Sequence, residues 1–527
     1  MAQRVLVNGR IRTFDPTHPT ATALAIEGGR IQYVGDDAGA RALLADGGDL
    51  VDLKGLCVLP GLADAHMHLR WFGQLLVTVD VETDTLDEAL ERVAEYAAHT
   101  AQDEWVQGRG WNHNVWGGAF PTAAALDAIA PDHPIYLGAK SGHAAWVNSA
   151  ALRIAGIDAR TADPPGGAIV RDAQGNPTGT LLEEALELVR KQIPEPSLEQ
   201  VVAQTRSALA EAARLGLTSL HDMDDSLSLR ACQVLAERDA LPLRIVKSIP
   251  LQQLDAALEV GLRSGLGSDR LRIGSVKMFA DGALGPKTAW MLQGFEGSPD
   301  NTGIATTPVT EIRDAVLRAN AGGLSCAIHA IGDRACREVL DIYEDANARY
   351  PGIRNRVEHL QILSPQDWER PAQLGVIASM QPIHATSDMH ISDSHLGERA
   401  AHTYVFRSLL DSGAVLAFGS DCPVETIDPL IGIHAAVTRR RLDGTPGPDG
   451  WYDEQRLSVE EAIRGFSYGA AYAARLESRL GTLSPGKWAD MTVLAQDPLS
   501  IDPTEIPQAG VQATLVAGAF VYREDGV

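Results

Sequence analysis

The stretch LPGLADAHMHL (residues 59–69) is an apolar run of strand length that ends in two imidazoles. Side chains alternate between the faces of a strand, so His66 and His68 point to one face and can bind one cation, while Met67 faces the other way. On its own this H-x-H motif is a weak signal, because a histidine at a strand end is more often a satisfied polar group. Whether it marks a metal site depends on what the rest of the chain places beside it.

Seven further runs of strand length follow along the chain, and amphipathic helical stretches separate them. This alternation indicates a parallel sheet. With the first run they predict an α/β fold, a TIM-like (β/α)8 barrel over residues 59–480, with the active site at the C-terminal ends of its strands. The seven runs are GLTSLHDM (216–223), LPLRIVKSI (241–249), LRIGSVKMFADG (271–282), LSCAIHAIG (324–332), RNRVEHLQ (354–361), GVIASMQPI (375–383) and AVLAFGSDCPV (414–424).

Both ends of the chain have a different, all-β texture. Residues 4–56 and the segment from Gly481 consist of short β-rich runs with turn residues between them. We expect residues 1–58 and 481–527 to form one small composite β-sandwich.

Residues 80–215 are too long for a single crossover helix, so they predict an inserted subdomain within the barrel. This insertion contains the strand-like pieces EWVQGRGW and HPIYLGAKSG. Its Gly/Pro-rich segment TADPPGGAIVRDAQGNPTGT (161–180) is predicted to be a loop.

Composition excludes several classes of protein. Of the 527 residues, 45% are hydrophobic and 22% charged, as in a folded protein with a sizeable core. Lys and Arg number 45 against 69 Asp and Glu, and the net charge of −24 repels nucleic acid and anionic membranes, so neither is an expected partner. Five isolated cysteines argue against a disulfide framework or a thiolate zinc site. Without a signal peptide or an apolar span, a cytoplasmic location is expected, and a homodimer stays open.

Polar side chains that can bind metal stand at or near the ends of six of the eight runs. Imidazole together with carboxylate suits zinc and similar divalent metals. The set consists of His66 and His68, His221 and Asp222, Lys277 and Asp281, His329, His359, and Asp421. A chance arrangement of five of them is improbable, and these five predict a metal site at the mouth of the barrel: His66, His68, His329, His359 and Asp421.

Two members of the set allow more than one interpretation. A cation beside a metal cluster is unfavourable, so Lys277 is either carbamylated, which makes it an anionic bridging ligand, or salt-bridged to Asp281 or Asp222. Asp421 can bind metal, accept a proton from metal-bound water, or cap the following helix. Because a metal lowers the pKa of bound water toward ~7, a carboxylate beside it can act as a general base, and hydrolysis is the natural reaction.

The sequence resembles the amidohydrolase superfamily, and within it the branch that includes N-substituted formamide deformylase. The resemblance covers nearly the whole chain, and so many segments in order are highly specific. The matching segments are VNGRIRTFDP, LPGLADAHMHL, GRGWNHNVW, SGHAAWVNSAAL, GLTSLHDM, VKMFADGALG, IHAIGD, VEHLQ, GSDCPV and GTLSPGKWADMTVL.

The resemblance implies hydrolysis of a C–N bond, in a small amide or an N-substituted formamide, by metal-bound hydroxide. Two divalent metal ions are implied, with zinc expected. The first would bind His66, His68 and Asp421; the second would bind His329 and His359, with carboxylated Lys277 as the bridge. Asp421 would also carry the proton from the attacking water to the leaving nitrogen.

The resemblance further implies a substrate pocket with aromatic and polar walls. The candidates are Trp111, Trp116 and His143 from the insertion, and Lys287 and Trp290 from the loop after Lys277. His143 is also a candidate catalytic residue. For the tryptophans, the alternative is burial as packing residues.

The chain departs from the pattern of that branch at two places. Asn112 stands where Asp is usual, and Pro286-Lys287 stand where a Ser-Arg pair is common. Lysine cannot make the planar bidentate contact of arginine. If position 287 recognises a substrate carboxylate, specificity here should therefore differ.

Four other functions compete with this interpretation. A deaminase of the same superfamily would use the same barrel, but it typically has a Glu three residues after the fifth-strand histidine, where this chain has Gly332. An ester or carbamate hydrolase would use the same hydroxide. The segment GFSYG (465–469) fits the G-x-S-x-G motif of serine hydrolases, but its flanks predict helix where that motif needs a strand-to-helix turn. A catalytically inactive scaffold protein is the remaining alternative.

Overall fold

Eight parallel strands form one sheet that curves into a nearly closed barrel, in a computed structural model that describes residues 2–101, 104–140 and 143–526. Each strand is bonded to its neighbours in chain order, and each coincides with one of the eight predicted runs, strand 3 extending one residue beyond its run, so the (β/α)8 prediction is confirmed. Barrel strands 1 to 8 are Leu62–Met67, Leu217–Asp222, Arg244–Pro250, Leu271–Phe279, Ser325–Ala330, Arg356–His359, Ile377–Met380 and Leu416–Phe418.

Barrel strands 1 and 8 meet where the chain leaves strand 8. The Asp421 amide donates a hydrogen bond of 2.7 Å to the His66 carbonyl, and the Ser420 amide donates one of 3.1 Å to Asp64 Oδ1. Gly419 permits this approach, because a Cβ there would lie 2.4 Å from the His66 amide nitrogen. The first and last strands are therefore joined directly beside the H-x-H motif.

Helices follow the barrel strands and cover the outside of the sheet. Their ends carry expected caps: Asp225 accepts from two amides of the helix after strand 2, and Ser458 and Glu461 form a capping box. The α-helices outside the insertion are Asp37–Arg41, Leu69–Leu76, Leu198–Arg214, Ser226–Glu237, Leu254–Glu259, Val309–Ala321, Asp333–Arg349, Arg370–Leu374, Pro382–Ser387, Met389–Leu396, Phe406–Asp411, Pro429–Thr438, Val459–Arg464 and Ala470–Ala473.

Two sheets built from both chain ends pack around a shared core. Met491–Leu494 pairs antiparallel with Cys57–Pro60, the strand that leads into the barrel. The core between the sheets includes Leu6, Ile26 and Leu515. One sheet contains Arg30–Gly35, Ala23–Glu27, Ala2–Val7 and Leu44–Asp52; the other contains Ala519–Arg523, Val511–Val516, Met491–Leu494, Cys57–Pro60, Arg10–Arg12 and Thr20–Ala21.

The segment Gly73–Gln200 is a compact unit with its own mixed sheet and its own core, whereas the predicted insertion covers 80–215. Helix Leu198–Arg214 belongs, from Val201 onward, to the unit that contains the barrel. The strands of this unit are, in sheet order, Gly167–Arg171, Pro177–Glu183, Ala144–Val147, Ile135–Ala139, Val106–Trp111 and Val79–Asp80. Its helices are Leu86–Ala98, Ala123–Asp127, Ser149–Ile154 and Leu186–Arg190.

The prediction of a loop over residues 161–180 is wrong. Gly167–Arg171 and Pro177–Glu183 pair as an antiparallel hairpin. Only residues 161–166 and the turn at 172–176 are irregular. Ile169 and Leu181 lie opposite each other and are buried, so tertiary packing outweighs the high Gly and Pro content. Ser141 and Gly142, at the end of the strand-like piece HPIYLGAKSG, lie outside the described residues.

No helix in the described part of the chain has the length and apolarity needed to cross a membrane. The five cysteines are all buried and free.

Candidate metal centre

The H-x-H motif at the end of barrel strand 1 presents two oriented imidazoles. His66 Nδ1 lies 2.5 Å from Glu358 Oε2, and His68 Nδ1 lies 2.8 Å from Asp224 Oδ1. A proton held at Nδ1 by these carboxylates makes Nε2 of each ring the nitrogen that would bind a metal. Both Nε2 atoms lie 3.4 Å from Asp421 Oδ1, so the two rings face the same point.

Asp421 follows barrel strand 8 with a backbone φ of +60°, in the left-handed region. This conformation is unfavourable for a residue other than glycine, so the surrounding hydrogen bonds must hold it. It turns the carboxylate toward the histidines. Although burial opposes ionisation, the imidazoles of His384, His66 and His68 hold the pKa of Asp421 well below its usual range.

Two more imidazoles come from strands 5 and 6. The ring centroids of His329 and His359 are 4.6 Å apart, and His359 is 5.0 Å from His66. His359 Nδ1 lies 2.8 Å from Gln381 Oε1, and His329 Nε2 lies 2.9 Å from the Gly282 carbonyl. Burial lowers the pKa of His329 to about 4 and holds that of His359 well below its usual range, so both rings are neutral and able to bind metal.

Lys277 lies inside the barrel on strand 4 and is only 4% exposed. Burial lowers its pKa to about 8. The predicted alternative of a salt bridge to Asp281 or Asp222 is wrong: among the described residues no carboxylate oxygen lies within 4.0 Å of Nζ. Asp281 instead accepts backbone hydrogen bonds from Trp290, Ile331 and Gly332.

The remaining pair of the predicted set, His221 and Asp222, binds buried cations inside the barrel. Asp222 Oδ2 lies 3.2 Å from the buried ammonium of Lys247. His221 Nδ1 lies 3.0 Å from the guanidinium of Arg356. Neither side chain joins the histidine cluster through a hydrogen bond or ion pair among the described residues.

A buried Arg356–Glu358 ion pair supports the cluster from below. Arg356 makes two bonds to Glu358 and also donates to the Ala65 carbonyl and Ser379 Oγ. Burial would raise the pKa of Glu358, but the charges of Arg356 and its neighbours hold it well below the usual range. Glu358 is therefore an anion that fixes the ring of His66.

Sequence reasoning missed one histidine of the cluster. His384, in helix Pro382–Ser387 directly after strand 7, places Nε2 3.4 Å from Asp421 Oδ2. The signal was present, because His384 immediately follows the apolar run 375–383. It also missed Glu358, Asp224 and Gln381, the hydrogen-bond partners of the His66, His68 and His359 rings.

Two aromatic side chains, also unpredicted, flank the cluster. Trp71 stacks on His68 with ring centroids 4.7 Å apart and is 53% exposed. Phe279 is 46% exposed, lies 5.3 Å from the His329 ring, and has Lys277 Nζ 4.8 Å from its centroid. They give the site apolar walls.

The predicted substrate residues of the insertion differ in burial: the two tryptophans pack in its core, whereas His143 is exposed. Trp111 is fully buried in the core of the insertion, and its indole N–H donates to the Leu137 carbonyl. Trp116 packs against the same core and donates to the Thr83 carbonyl. This favours the packing interpretation for both. His143 is exposed, with Nδ1 2.9 Å from Glu183 Oε2, and its predicted role stays a prediction.

Two candidate substrate residues in the loop after Lys277, Lys287 and Trp290, contact neighbouring protein groups. Trp290 is half-buried beneath the Arg334 guanidinium, which lies 4.5 Å from its ring centroid. Lys287 adopts a φ of +55°, and its ammonium donates to the Glu296 carbonyl. Pro286 is exposed, and Asn112 Oδ1 caps the amide of Asn114. Their predicted effects on specificity stay predictions.

The structure places Ser467 of GFSYG in a continuous helical segment. Its hydroxyl is buried and donates to the Ile463 carbonyl. It therefore lacks the exposed turn that a serine nucleophile requires, as the sequence predicts.

The side chains around Asp421 fit a divalent cation. The Nε2 atoms of His66 and His384 are buried and have no hydrogen-bond partner in the described structure. Buried polar atoms are rarely left in this state. Imidazole nitrogens and a carboxylate are the donors that zinc and similar metals prefer.

Comparison with known proteins shows what this chain is similar to. The amidohydrolase family pattern matches residues 49–522. Protein LONG AFTER FAR-RED 3 of Arabidopsis thaliana is 36% identical, over 99% of this chain and 92% of its own. N-substituted formamide deformylase of Arthrobacter pascens is 31% identical, over 100% of this chain and 99% of its own. The crystal structure of an uncharacterized metal-dependent hydrolase from Pyrococcus furiosus is 31% identical, with a TM-score of 0.79 over 94% of this chain and 100% of that one. Because the family pattern runs through all eight barrel strands, the chain belongs to the amidohydrolase family.

Proposed function

We propose that the protein hydrolyses a C–N bond in a small amide, with N-substituted formamides as the first candidates, and that it does so with divalent metal, zinc being expected. The observation that carries this proposal is the arrangement around Asp421, where oriented imidazoles surround one buried carboxylate. The full-length similarity to N-substituted formamide deformylase supports the substrate class.

His66, His68 and Asp421 would hold one metal ion, and His329 and His359 would hold part of a second. Bound there, the metal would polarise the substrate carbonyl and lower the pKa of coordinated water. The carboxylates behind the rings aim Nε2 at the site, where a bound cation would replace the proton.

Asp421 is the proton carrier in this proposal. Its carboxylate is ionised at neutral pH, which leaves its oxygens able to accept a proton. As the oxygen of water forms a bond to the carbonyl carbon, Asp421 takes a proton from that water. It returns the proton to the nitrogen as the C–N bond breaks, so the products are a carboxylic acid and an amine.

Lys277 is proposed as a carboxylated bridging residue. With a pKa of about 8, a sizeable fraction of its amine is neutral near physiological pH. The neutral amine can add to carbon dioxide, forming an N–C bond and releasing one proton. The product is an anion, which removes the unfavourable cation from the centre of the site.

The remaining predictions from the sequence stay proposals. His143, Lys287 and Trp290 stay candidates for substrate contact, His143 also for catalysis, and Trp111 and Trp116 stay weaker candidates for substrate contact. A cytoplasmic location, the absence of nucleic-acid and membrane partners, and a homodimer are predictions that solution experiments must test.

The test is a substrate panel with a catalytic variant. Zinc-loaded protein is assayed on N-alkyl and N-benzyl formamides, acetamides, carbamates, esters and aminated heterocycles. Hydrolysis of the formamides or amides, lost by at least about 100-fold in Asp421→Asn, is expected. The control is Asp428→Asn, because Asp428 caps helix Pro429–Thr438 and asparagine caps equally well.

Each other outcome contradicts part of the proposal. Turnover of only esters or carbamates would replace the substrate class, and deamination of heterocycles would favour the deaminase. Activity of Asp421→Asn equal to wild type would remove Asp421 as proton carrier. No turnover of any class, with no bound metal, would favour the inactive scaffold.

A further inference from the structure

The two oxygens of Asp421 have similar surroundings. Oδ1 lies 3.4 Å from Nε2 of His66 and 3.4 Å from Nε2 of His68. Oδ2 lies 3.4 Å from Nε2 of His384. The metal site implied by the sequence uses only the first of these two faces, and His384 has no part in it.

The spacing of 3.4 Å is informative. Two ligands that each lie ~2.1 Å from a tetrahedral zinc ion are about 3.4 Å apart. A direct N–H···O hydrogen bond is shorter, with a usual distance of about 2.9 Å. The Nε2 atoms of His66 and His384 are both buried and have no hydrogen-bond partner in the described structure. On both faces of Asp421, the atoms are spaced as ligands of a common ion.

A third ligand is available beside His384 and Asp421. Donor atoms of His359, His384 and Asp421 all lie within 4.8 Å of one another, as do those of His66, His68 and Asp421. Because His359 Nδ1 is bound to Gln381, its Nε2 is the nitrogen left for a metal. The second group therefore places two imidazoles beside Asp421, with His384 Nε2 facing Oδ2.

We propose that His384 is a metal ligand, which together with His359 and Asp421 forms a second cation position on the Oδ2 face. Asp421 is then shared between two cations, one on each oxygen. This inference rests on the proposed function only in requiring divalent metal. It makes the second cation less dependent on Lys277, since three protein groups hold it without a bridge from that lysine.

Another explanation of the same spacing must be separated from this one. A protonated His384 could form a simple ion pair with Asp421, with no metal between them. In that case removal of His384 leaves the number of bound cations unchanged, whereas a ligand role predicts the loss of one.

The experiment uses cobalt(II) as the probe. Metal-free full-length protein is titrated with Co²⁺ and followed by calorimetry and visible absorption. We expect two equivalents in the wild type and one in His384→Ala, with the bands of the remaining site unchanged. The control is His402→Ala, because His402 lies against Trp368 outside the cluster. That variant should retain both equivalents.

A second variant keeps the test valid if His384→Ala does not fold. In His384→Cys, a thiolate bound to cobalt gives a charge-transfer band in the near ultraviolet that wild type lacks. The five native cysteines are buried and free, and wild-type protein corrects for them. Two equivalents in His384→Ala, or no new band in a folded His384→Cys, would overturn the inference.

A parallel formamide assay separates this inference from the proposed function. Loss of one cation in His384→Ala, without amide hydrolysis by wild type, would uphold the ligand and overturn the substrate class. Amide hydrolysis by wild type, with both cations retained in His384→Ala, would do the opposite. A wild type that binds no cation overturns both, and a single equivalent unaffected by His384→Ala overturns the inference.

Discussion

The two sides of the metal centre use the same side chain, imidazole, but support it differently. On the side of barrel strand 1, carboxylates stand behind the rings: Glu358 behind His66 and Asp224 behind His68. Burial lowers the pKa of His68, but Asp224 and Asp421 outweigh it and raise the pKa to about 9. This side already has the negative charge that attracts a cation.

The side of strands 4 to 6 has neutral supports and a cation. An amide stands behind His359, a backbone carbonyl lies beside His329, and Lys277 has no carboxylate within salt-bridge distance in the described structure. Burial lowers the pKa of both rings. The comparison teaches that the first side has its own carboxylates to balance a metal ion. The second side needs negative charge from another group, either carboxylated Lys277 or the second oxygen of Asp421.

Among these variants, Glu358→Gln should have the largest effect, a loss of stability on the side of barrel strand 1. It leaves the buried guanidinium of Arg356 without its anion, so the free energy of unfolding should fall by about 3–5 kcal/mol. Chemical denaturation of the metal-free protein measures this. The matched control is Glu477→Gln, since Glu477 binds Arg354 at a half-buried position and should cost about 1 kcal/mol or less. Equal losses in the two variants would contradict the prediction.

Asp224→Asn tests whether the carboxylate behind His68 strengthens metal binding. Loss of such a partner should weaken the affinity for Co²⁺ by about 10–100-fold, because the ring becomes less basic and less well oriented. Competition with a coloured chelator measures the affinity. Gln381→Ala removes the neutral partner of His359 and should cost less than Asp224→Asn; the reverse order would refute the comparison.

The pH dependence of Lys277 labelling sharpens the picture of the other side. Only the neutral amine reacts with carbon dioxide, and its fraction rises as pH rises through a pKa of about 8. At fixed CO₂ pressure, the initial rate of ¹³C-carbamate formation should therefore be about 25-fold higher at pH ~8.5 than at pH ~6.5. NMR of ¹³C-labelled protein follows the reaction.

The label should disappear in Lys277→Arg and persist in Lys287→Arg, where the lysine is a surface residue. A rate independent of pH, or a label that survives Lys277→Arg, would exclude Lys277 as the carboxylated group.

Trp71→Ala should have the smallest effect. The indole is half-exposed and stacks on His68, so its loss should weaken binding of N-benzyl substrates by about 1 kcal/mol, or about fivefold in KM. N-methyl analogues should be affected less. Val260→Ala, which alters an exposed side chain elsewhere on the barrel unit, serves as control. Equal losses for both substrate types would remove Trp71 as an apolar wall.

The sequence predicted the barrel well because its strands are apolar runs separated by amphipathic helices, a local signal. It also predicted which strand ends carry His66, His329 and Asp421. The hairpin at 167–183 was missed because its glycines and prolines outweigh any local strand signal. Its pairing is stabilised by burial, since Ile169 and Leu181 pack in one buried core with Val147 and Leu152.

The supports of the site were harder to predict than the site itself. Glu358 directly precedes His359 on strand 6, yet its partner His66 is 292 positions away in the chain. Nothing local marks it as the carboxylate behind an imidazole. His384 was overlooked because it lies in a short helix that begins at Pro382, just beyond the apolar run. Pairings between distant strands are set by the closed barrel, and no local pattern records them.

The junction of strands 1 and 8 has a consequence for biosynthesis. Ser420 and Asp64, which bond across it, are 356 positions apart in the chain. At about 5–20 residues per second, a ribosome makes the second partner roughly 20–70 s after the first. During that interval the nascent chain carries His66 and His68 without Asp421. Tight metal uptake must therefore wait for the last barrel strand, so a chain truncated before it should be synthesised without capturing its metal.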